Sequence, residues 1–69
     1  MLIVSQNGLT AIPRDVAAMY VEDTTIRCLV CNEEFIMAEY ESSKAAQEVF
    51  TDLLMNCESN FYQFPKCNF

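Results

Sequence analysis

Cys28 and Cys31 form a Cys-x-x-Cys pair, a spacing typical of zinc sites and of redox centres. A zinc site needs both thiolates to converge from a tight turn. Here the intervening residues are Leu29 and Val30, which favour a strand, and a strand directs alternate side chains to opposite faces. The other two cysteines are far apart in the sequence, and the chain has no histidine. We therefore expect no metal at this motif and interpret the cysteines as structural.

Redox and acid–base catalysis are not expected either. A thioredoxin-like centre has its Cys-x-x-Cys at a helix N-terminus that follows a strand. Here the motif lies within a predicted strand, so that arrangement is not expected. The lack of histidine removes the usual general base, and the one glycine, Gly8, cannot form a phosphate-binding loop. Glu39 and Glu41 have no evident pocket around them. The sequence predicts a protein that is not an enzyme and that needs no cofactor.

Ten acidic and four basic residues give the chain a formal charge of −6. Proteins that bind nucleic acid concentrate lysine and arginine on one face, whereas the four basic residues here are scattered, so we expect no direct nucleic-acid binding. A negative surface favours a basic protein partner, but it also serves plain solubility. Both interpretations stay open.

The N-terminal MLIVSQNG has too short an apolar run and no basic lead, so we expect neither a signal peptide nor a membrane span. The predicted location is the cytoplasm, where thiols remain reduced, and the four cysteines are not interpreted as disulfides.

Asn7-Gly8 between two apolar runs predicts a hairpin with a two-residue type I′ turn, pairing Gln6 with Leu9 and Val4 with Ala11. Residues rich in strand formers predict three further strands. These are 16–22, 25–31 and 35–40, the last two joined by a turn at Asn32-Glu33 that pairs Val30 with Phe35, Cys28 with Met37, Leu29 with Ile36 and Thr25 with Tyr40.

A helix is predicted over 42–58, capped by Ser42 or Ser43. Its apolar stripe comprises Ala46, Val49, Phe50, Leu53, Leu54 and Cys57. The single domain, 1–69, is then α+β: an antiparallel meander of four or five strands (1–41), one C-terminal amphipathic helix packed on one face, and an aromatic tail (59–69). The tail is either packed on the domain or a hook for a partner. Its candidate contacts are Phe61, Tyr62 and Phe64.

Both faces of the predicted sheet are apolar, and one helix covers only one of them. Leu29, Ile36 and Tyr40 are therefore candidate interface residues, and we expect the chain to form a homo-oligomer, most simply a dimer. If symmetry brought several chains together, Arg14 and Arg27 could meet the phosphates of a small ligand.

Three segments resemble small uncharacterised proteins of Gram-positive bacteria and of their prophages and phages: MLIVSQNG, AAMYVEDT, and EYESSKAAQEVFTDLL leading to FYQFP. The resemblance supplies no functional motif, and it implies a context of mobile genetic elements. Three hypotheses follow: a non-enzymatic protein that binds and inhibits a host protein, such as a component of antiviral defence; an oligomeric sponge for a signalling nucleotide; or a structural or regulatory subunit of the host.

Overall fold

The computed structural model describes residues 1–56 and 58–66. In this part of the chain, two three-stranded sheets and one helix enclose a common core, with a short 3₁₀ turn at Arg14–Val16. The α+β class is confirmed, but the single meander is wrong in two respects: the strands form two sheets, and the helix is followed by another strand. The elements are β1 (Leu2–Val4), β2 (Ala11–Pro13), β3 (Ala18–Glu22), β4 (Thr25–Val30), β5 (Glu33–Glu39), α1 (Ser43–Met55) and β6 (Phe61–Gln63).

The first sheet has the order β2-β1-β6 and is mixed, because β1 pairs antiparallel with β2 and parallel with β6. The predicted pairing of Val4 with Ala11 is confirmed. The turn is looser than predicted: the Gly8 N–H donates to the Ser5 carbonyl (2.9 Å), and the Asn7 Oδ1 accepts from the Leu9 N–H (2.9 Å). Gly8 alone in this loop has a positive φ, of 77°, whereas a type I′ turn needs two such residues.

Burial alternates along the strands of the first sheet. Ile3 and Ile12 are buried in the core, while Leu2, Pro13 and Phe61 lie side by side on the outer surface. Since Pro13 has no N–H, β2 cannot offer a full set of hydrogen bonds to another strand at that position.

The second sheet is an antiparallel meander in the order β3-β4-β5. The β4–β5 turn lies one residue earlier than predicted: Cys31 and Asn32 are its central residues, with φ of 51° and 67°. Two consecutive positive φ values are what a two-residue type I′ turn requires, and asparagine adopts them readily. Cys31 therefore belongs to the turn and not to the strand.

A β-bulge at Met37 makes the register beyond it differ from the predicted one. Ile26 pairs with Ala38 but Arg27 pairs with Ile36, so Met37 has no partner in β4. An extra residue reverses the alternation of side chains beyond it. As a result Met37 and Ala38 both face the core, and Tyr40 is buried instead of lying on the outer side.

The four side-chain pairs predicted between β4 and β5 are consequently wrong. Because of the turn and the bulge, the observed partners are Glu33 for Val30, Phe35 for Cys28, Glu34 for Leu29 and Glu39 for Thr25.

Helix α1 begins after Ser42, whose hydroxyl accepts a hydrogen bond from the Ala45 N–H (3.1 Å), as predicted for an N-cap. Its bounds are narrower than 42–58, and Cys57 lies outside the described residues. Ala46 and Leu53 of the predicted stripe are buried. Leu54 is 51% exposed, so it does not belong to the stripe as predicted.

The core is formed by the inner faces of both sheets, the helix stripe and Phe64. Phe64 is only 1% exposed, although it belongs to the predicted aromatic tail. Residues 61–63 of that tail form β6, which lies beside β1 and brings Phe64 into the core. Phe64 is thus packed in the core, whereas Phe61 of the same segment is exposed.

Gln6 joins the two sheets. Its backbone N–H donates to the Met37 carbonyl (2.7 Å), while its side-chain Oε1 accepts from the Glu39 N–H and its Nε2 donates to the Glu39 carbonyl (3.1 Å each). Nε2 also donates to the carbonyl of Pro65 (3.2 Å). A primary amide that pairs with both backbone groups of one residue takes the place of a neighbouring strand, so the outer edge of β5 is closed here.

Within residues 1–56 and 58–66, no helix is long and apolar enough to cross a membrane.

Candidate binding surface

The outer side of the second sheet is the candidate surface, here called the open face. Its side chains form two rows across the three strands, and each row mixes apolar and polar groups. Leu29 is 40% exposed and Ile36 is 59% exposed. The rows are Ala18–Leu29–Glu34 and Tyr20–Arg27–Ile36.

Tyr20, Arg27 and Glu34 form a hydrogen-bonded cluster on the open face. The Arg27 Nη1 donates to the Glu34 Oε1 at 2.5 Å, and the Tyr20 hydroxyl donates to the other carboxylate oxygen. Arg27 also donates through Nε to the Thr25 hydroxyl (3.2 Å). These bonds fix one rotamer of each long side chain, so less conformational entropy is lost when a partner binds. Tyrosine and arginine are also the residue types most often found at interface hot spots.

The same bonds change the pKa values of the three side chains. The hydrogen bond from Tyr20 and then that from Arg27 lower the pKa of Glu34, while the bond to Glu34 raises the pKa of both Tyr20 and Arg27. Hydrogen bonds and an opposite charge that favour the ionised carboxylate account for this direction.

The folded protein is expected to lose stability in acid through Glu34. Because folding lowers the pKa of this carboxyl, its contribution is complete above the pKa of an unfolded glutamate, about 4.3, and is lost as the pH falls through the folded value. Urea unfolding of the wild type and of Glu34→Gln at several pH values should show a difference at pH 7 that shrinks below about pH 4. Glu33→Gln is the matched control. A difference that stays constant with pH would contradict the prediction.

Carboxylates surround the open face. Glu22 and Glu39 lie in the next row, on either side of Thr25, and both are exposed. With Glu34 they place three carboxylates around the single guanidinium of Arg27. The face therefore combines apolar side chains with a net negative charge, which complements a basic protein surface that has an apolar centre.

The structure separates the six residues predicted as interface contacts. Leu29 and Ile36 lie on the open face. Phe61 is 60% exposed, but it lies on the outer side of the first sheet. Tyr40 and Phe64 are core residues, because the bulge turns Tyr40 inward and β6 carries Phe64 inward. Tyr62 is half-buried on the inner side of β6.

An open groove of about 370 Å³ lies between α1 and the segment that follows β6. Asp52 lines this groove and accepts a hydrogen bond from the Tyr62 hydroxyl (2.8 Å). Burial, followed by this bond, raises the pKa of Tyr62. The Tyr40 hydroxyl donates to the Pro65 carbonyl (2.8 Å) beside it. Both tyrosines therefore tie the segment around β6 to the rest of the domain.

The two candidate anion contacts are far from equivalent. Arg27 is held by Glu34 and Thr25. Arg14 is exposed and lies after β2, next to Met1, Asp15, Leu53 and Leu54 around a second pocket. The fold does not bring the two guanidinium groups to a common site within one chain, since one belongs to the open face and the other follows a strand of the first sheet.

The two cysteines of the Cys-x-x-Cys motif lie in different environments. Cys28 is buried on the inner side of β4, where burial raises the pKa of its thiol, and Cys31 is exposed in the turn. Both thiols are free. Among residues 1–56 and 58–66, no group of three potential metal ligands comes together. Cys57 and Cys67 lie outside the described residues.

None of the known protein-family models matches this chain, and neither a curated protein nor a solved structure does.

Sequence reasoning missed the polar part of the open face. Tyr20, Arg27 and Glu34 come from three strands, and their meeting depends on the turn at Cys31-Asn32 that sets the register. Opposite charges at Arg27 and Glu34 near a predicted turn were a usable signal for a cross-strand pair.

Proposed function

We propose that this protein is a non-enzymatic binding protein that covers a basic surface of another protein with its open face. The observation that supports it best is the exposure of Leu29 and Ile36 beside the ordered Tyr20–Glu34–Arg27 cluster. Large apolar side chains that remain exposed together on one face of a sheet are typical of an interaction site. Interfaces of this kind have an apolar centre and a polar rim.

The resemblance to small proteins of phages and prophages suggests the kind of target. A short protein of this origin that lacks a catalytic centre acts most simply by occupying a surface of a host protein and thereby inhibiting it. A host surface that normally holds nucleic acid, such as that of an antiviral-defence protein, is basic and fits the acidic open face. On this proposal the protein works in the host cytoplasm and needs no cofactor.

Two other functions receive less support. A nucleotide sponge needs free cations, and Arg27 is already paired with a carboxylate. A structural subunit of the host would also use an apolar face, so identification of the partner separates it from an inhibitor.

Affinity capture from a Gram-positive host lysate tests the proposal. The tagged wild type is compared with Ile36→Glu, which adds a charge to the open face on its edge strand β5, and with Met55→Glu, which adds the same charge at an exposed helix position. We expect the wild type and Met55→Glu to retain one host protein and Ile36→Glu to lose it. Binding should weaken as salt rises, because a basic partner is attracted by the acidic rim.

Activity of the captured protein, with and without the small protein, then distinguishes an inhibitor from a passive subunit. Equal capture by all three variants would contradict the open face as the binding site. A nucleotide released from the denatured native protein would instead support the sponge.

A further inference from the structure

The outer side of the first sheet differs from the open face in its charge. It is called here the uncharged face, and it is formed by Leu2, Val4, Ala11, Pro13, Phe61 and Gln63. None of the nine residues in β1, β2 and β6 carries a charge. Five of the six side chains on this face are apolar.

One row of the uncharged face is apolar across the whole sheet. Pro13, Leu2 and Phe61 are direct neighbours on three strands, and all three are exposed. Phe61 is the largest side chain in the row and is 60% exposed. An exposed phenylalanine beside an exposed leucine loses much of its contact with water when the row meets another apolar surface.

We propose that the uncharged face binds the same face of a second copy of this chain. Each copy has a formal charge of −6, so two copies repel one another when their acidic surfaces approach. An interface without charged side chains lets the copies meet while the carboxylates around the open face stay in water. A face that lacks carboxylates offers no charge attraction to a basic partner.

Two-fold symmetry suits this contact, because the same row then packs against itself. The sheet is small: three strands about 4.8 Å apart and three residues long present less area than the roughly 800 Å² per partner of a standard interface. The dimer should therefore be weak and in rapid exchange with the monomer. It replaces the dimer predicted from the sequence, which used Leu29, Ile36 and Tyr40.

Sedimentation velocity on the wild type, from roughly 10 µM to 1 mM, tests the proposal. The mass should rise from 7.9 kDa towards twice that value with concentration. Salt supplies an independent readout: raising it from about 50 mM to about 500 mM should strengthen the dimer, because it screens the repulsion between two acidic copies. Capture of a basic partner by the open face should change in the opposite direction.

Phe61→Glu should weaken the dimer at least about tenfold, while Ile36→Glu, which adds the same charge to the open face, should leave it unchanged. Because Phe61 is largely exposed, the variant should still fold, which its circular dichroism and melting temperature check. Leu2→Gln is a second variant in the same row that adds no charge. A monomer at every concentration would overturn the inference, and so would loss of the dimer in Ile36→Glu alone. If the protein is monomeric and Phe61→Glu loses the host partner, the uncharged face binds that partner and not a second copy.

Discussion

Phe64→Ala is expected to lower the free energy of unfolding by about 3–5 kcal/mol. Phe64 is the largest of the fully buried side chains, and its backbone N–H donates to the Val4 carbonyl (3.1 Å) next to β1. Removal of the ring leaves a cavity in the core that the two sheets and the helix share. A domain of this size has a total stability of only about 3–10 kcal/mol, so the variant should be partly or fully unfolded.

Urea unfolding followed by circular dichroism measures this effect. Phe61→Ala is the matched control: it removes the same side chain three residues earlier, at an exposed position, and should change stability by less than about 0.5 kcal/mol. The comparison also separates the two interpretations of the aromatic segment. If Phe64→Ala unfolds at the same urea concentration as the wild type, the ring is not part of the core.

Gln6→Ala is expected to cost about 1–3 kcal/mol, a large effect for a polar side chain at only intermediate burial. The substitution removes the side-chain bonds to the backbone of Glu39 and to the Pro65 carbonyl. The backbone bond from residue 6 to the Met37 carbonyl remains, but the edge of β5 loses its partner at Glu39, and the two sheets are then joined less firmly. Hydrogen exchange should show faster exchange of the Glu39 amide in this variant.

Gln47→Ala is the control for Gln6→Ala. Gln47 is exposed on α1, and alanine is a good helix former, so this variant should be as stable as the wild type or slightly more stable. Gln6→Glu keeps an acceptor for the Glu39 N–H but, when ionised, loses the donors to both carbonyls. It should be at least as destabilised as Gln6→Ala at neutral pH. Equal stability of Gln6→Ala and Gln47→Ala would show that the amide does not join the sheets.

Local patterns were sufficient to predict most elements of this fold. Asn7-Gly8 indicated the first hairpin and its register, and Ser42 indicated the start of the helix. Both signals act within a few residues of chain. The exposure of Leu29 and Ile36 also followed from local pattern, because β4 and β5 are adjacent in sequence and alternate regularly as far as Ile36.

The main error of the sequence prediction was to treat 35–40 as a regular strand, without the bulge at Met37. The bulge reversed the alternation and moved Tyr40 from the predicted surface to the core. In the structure Glu34 and Glu39 lie on the same face although they are five residues apart, whereas positions on one face of a regular strand differ by an even number. The short β6 was missed because its partner β1 lies almost at the other end of the sequence, and no local pattern specifies a parallel pair at that distance.

The parallel pairing of β1 with β6 has a consequence for the order in which the protein folds. During synthesis β1 leaves the ribosome almost sixty residues before the partner that completes its sheet. The meander β3-β4-β5 needs only neighbouring residues and can form early, whereas pairing over this distance must first close a long loop and is therefore slower. Until residues 61–64 arrive, Ile3 lacks part of its cover and the inner strand of the first sheet is an open edge. The nascent chain is therefore most exposed to aggregation and to chaperone binding through β1, whose Ile3 is fully buried in the finished sheet.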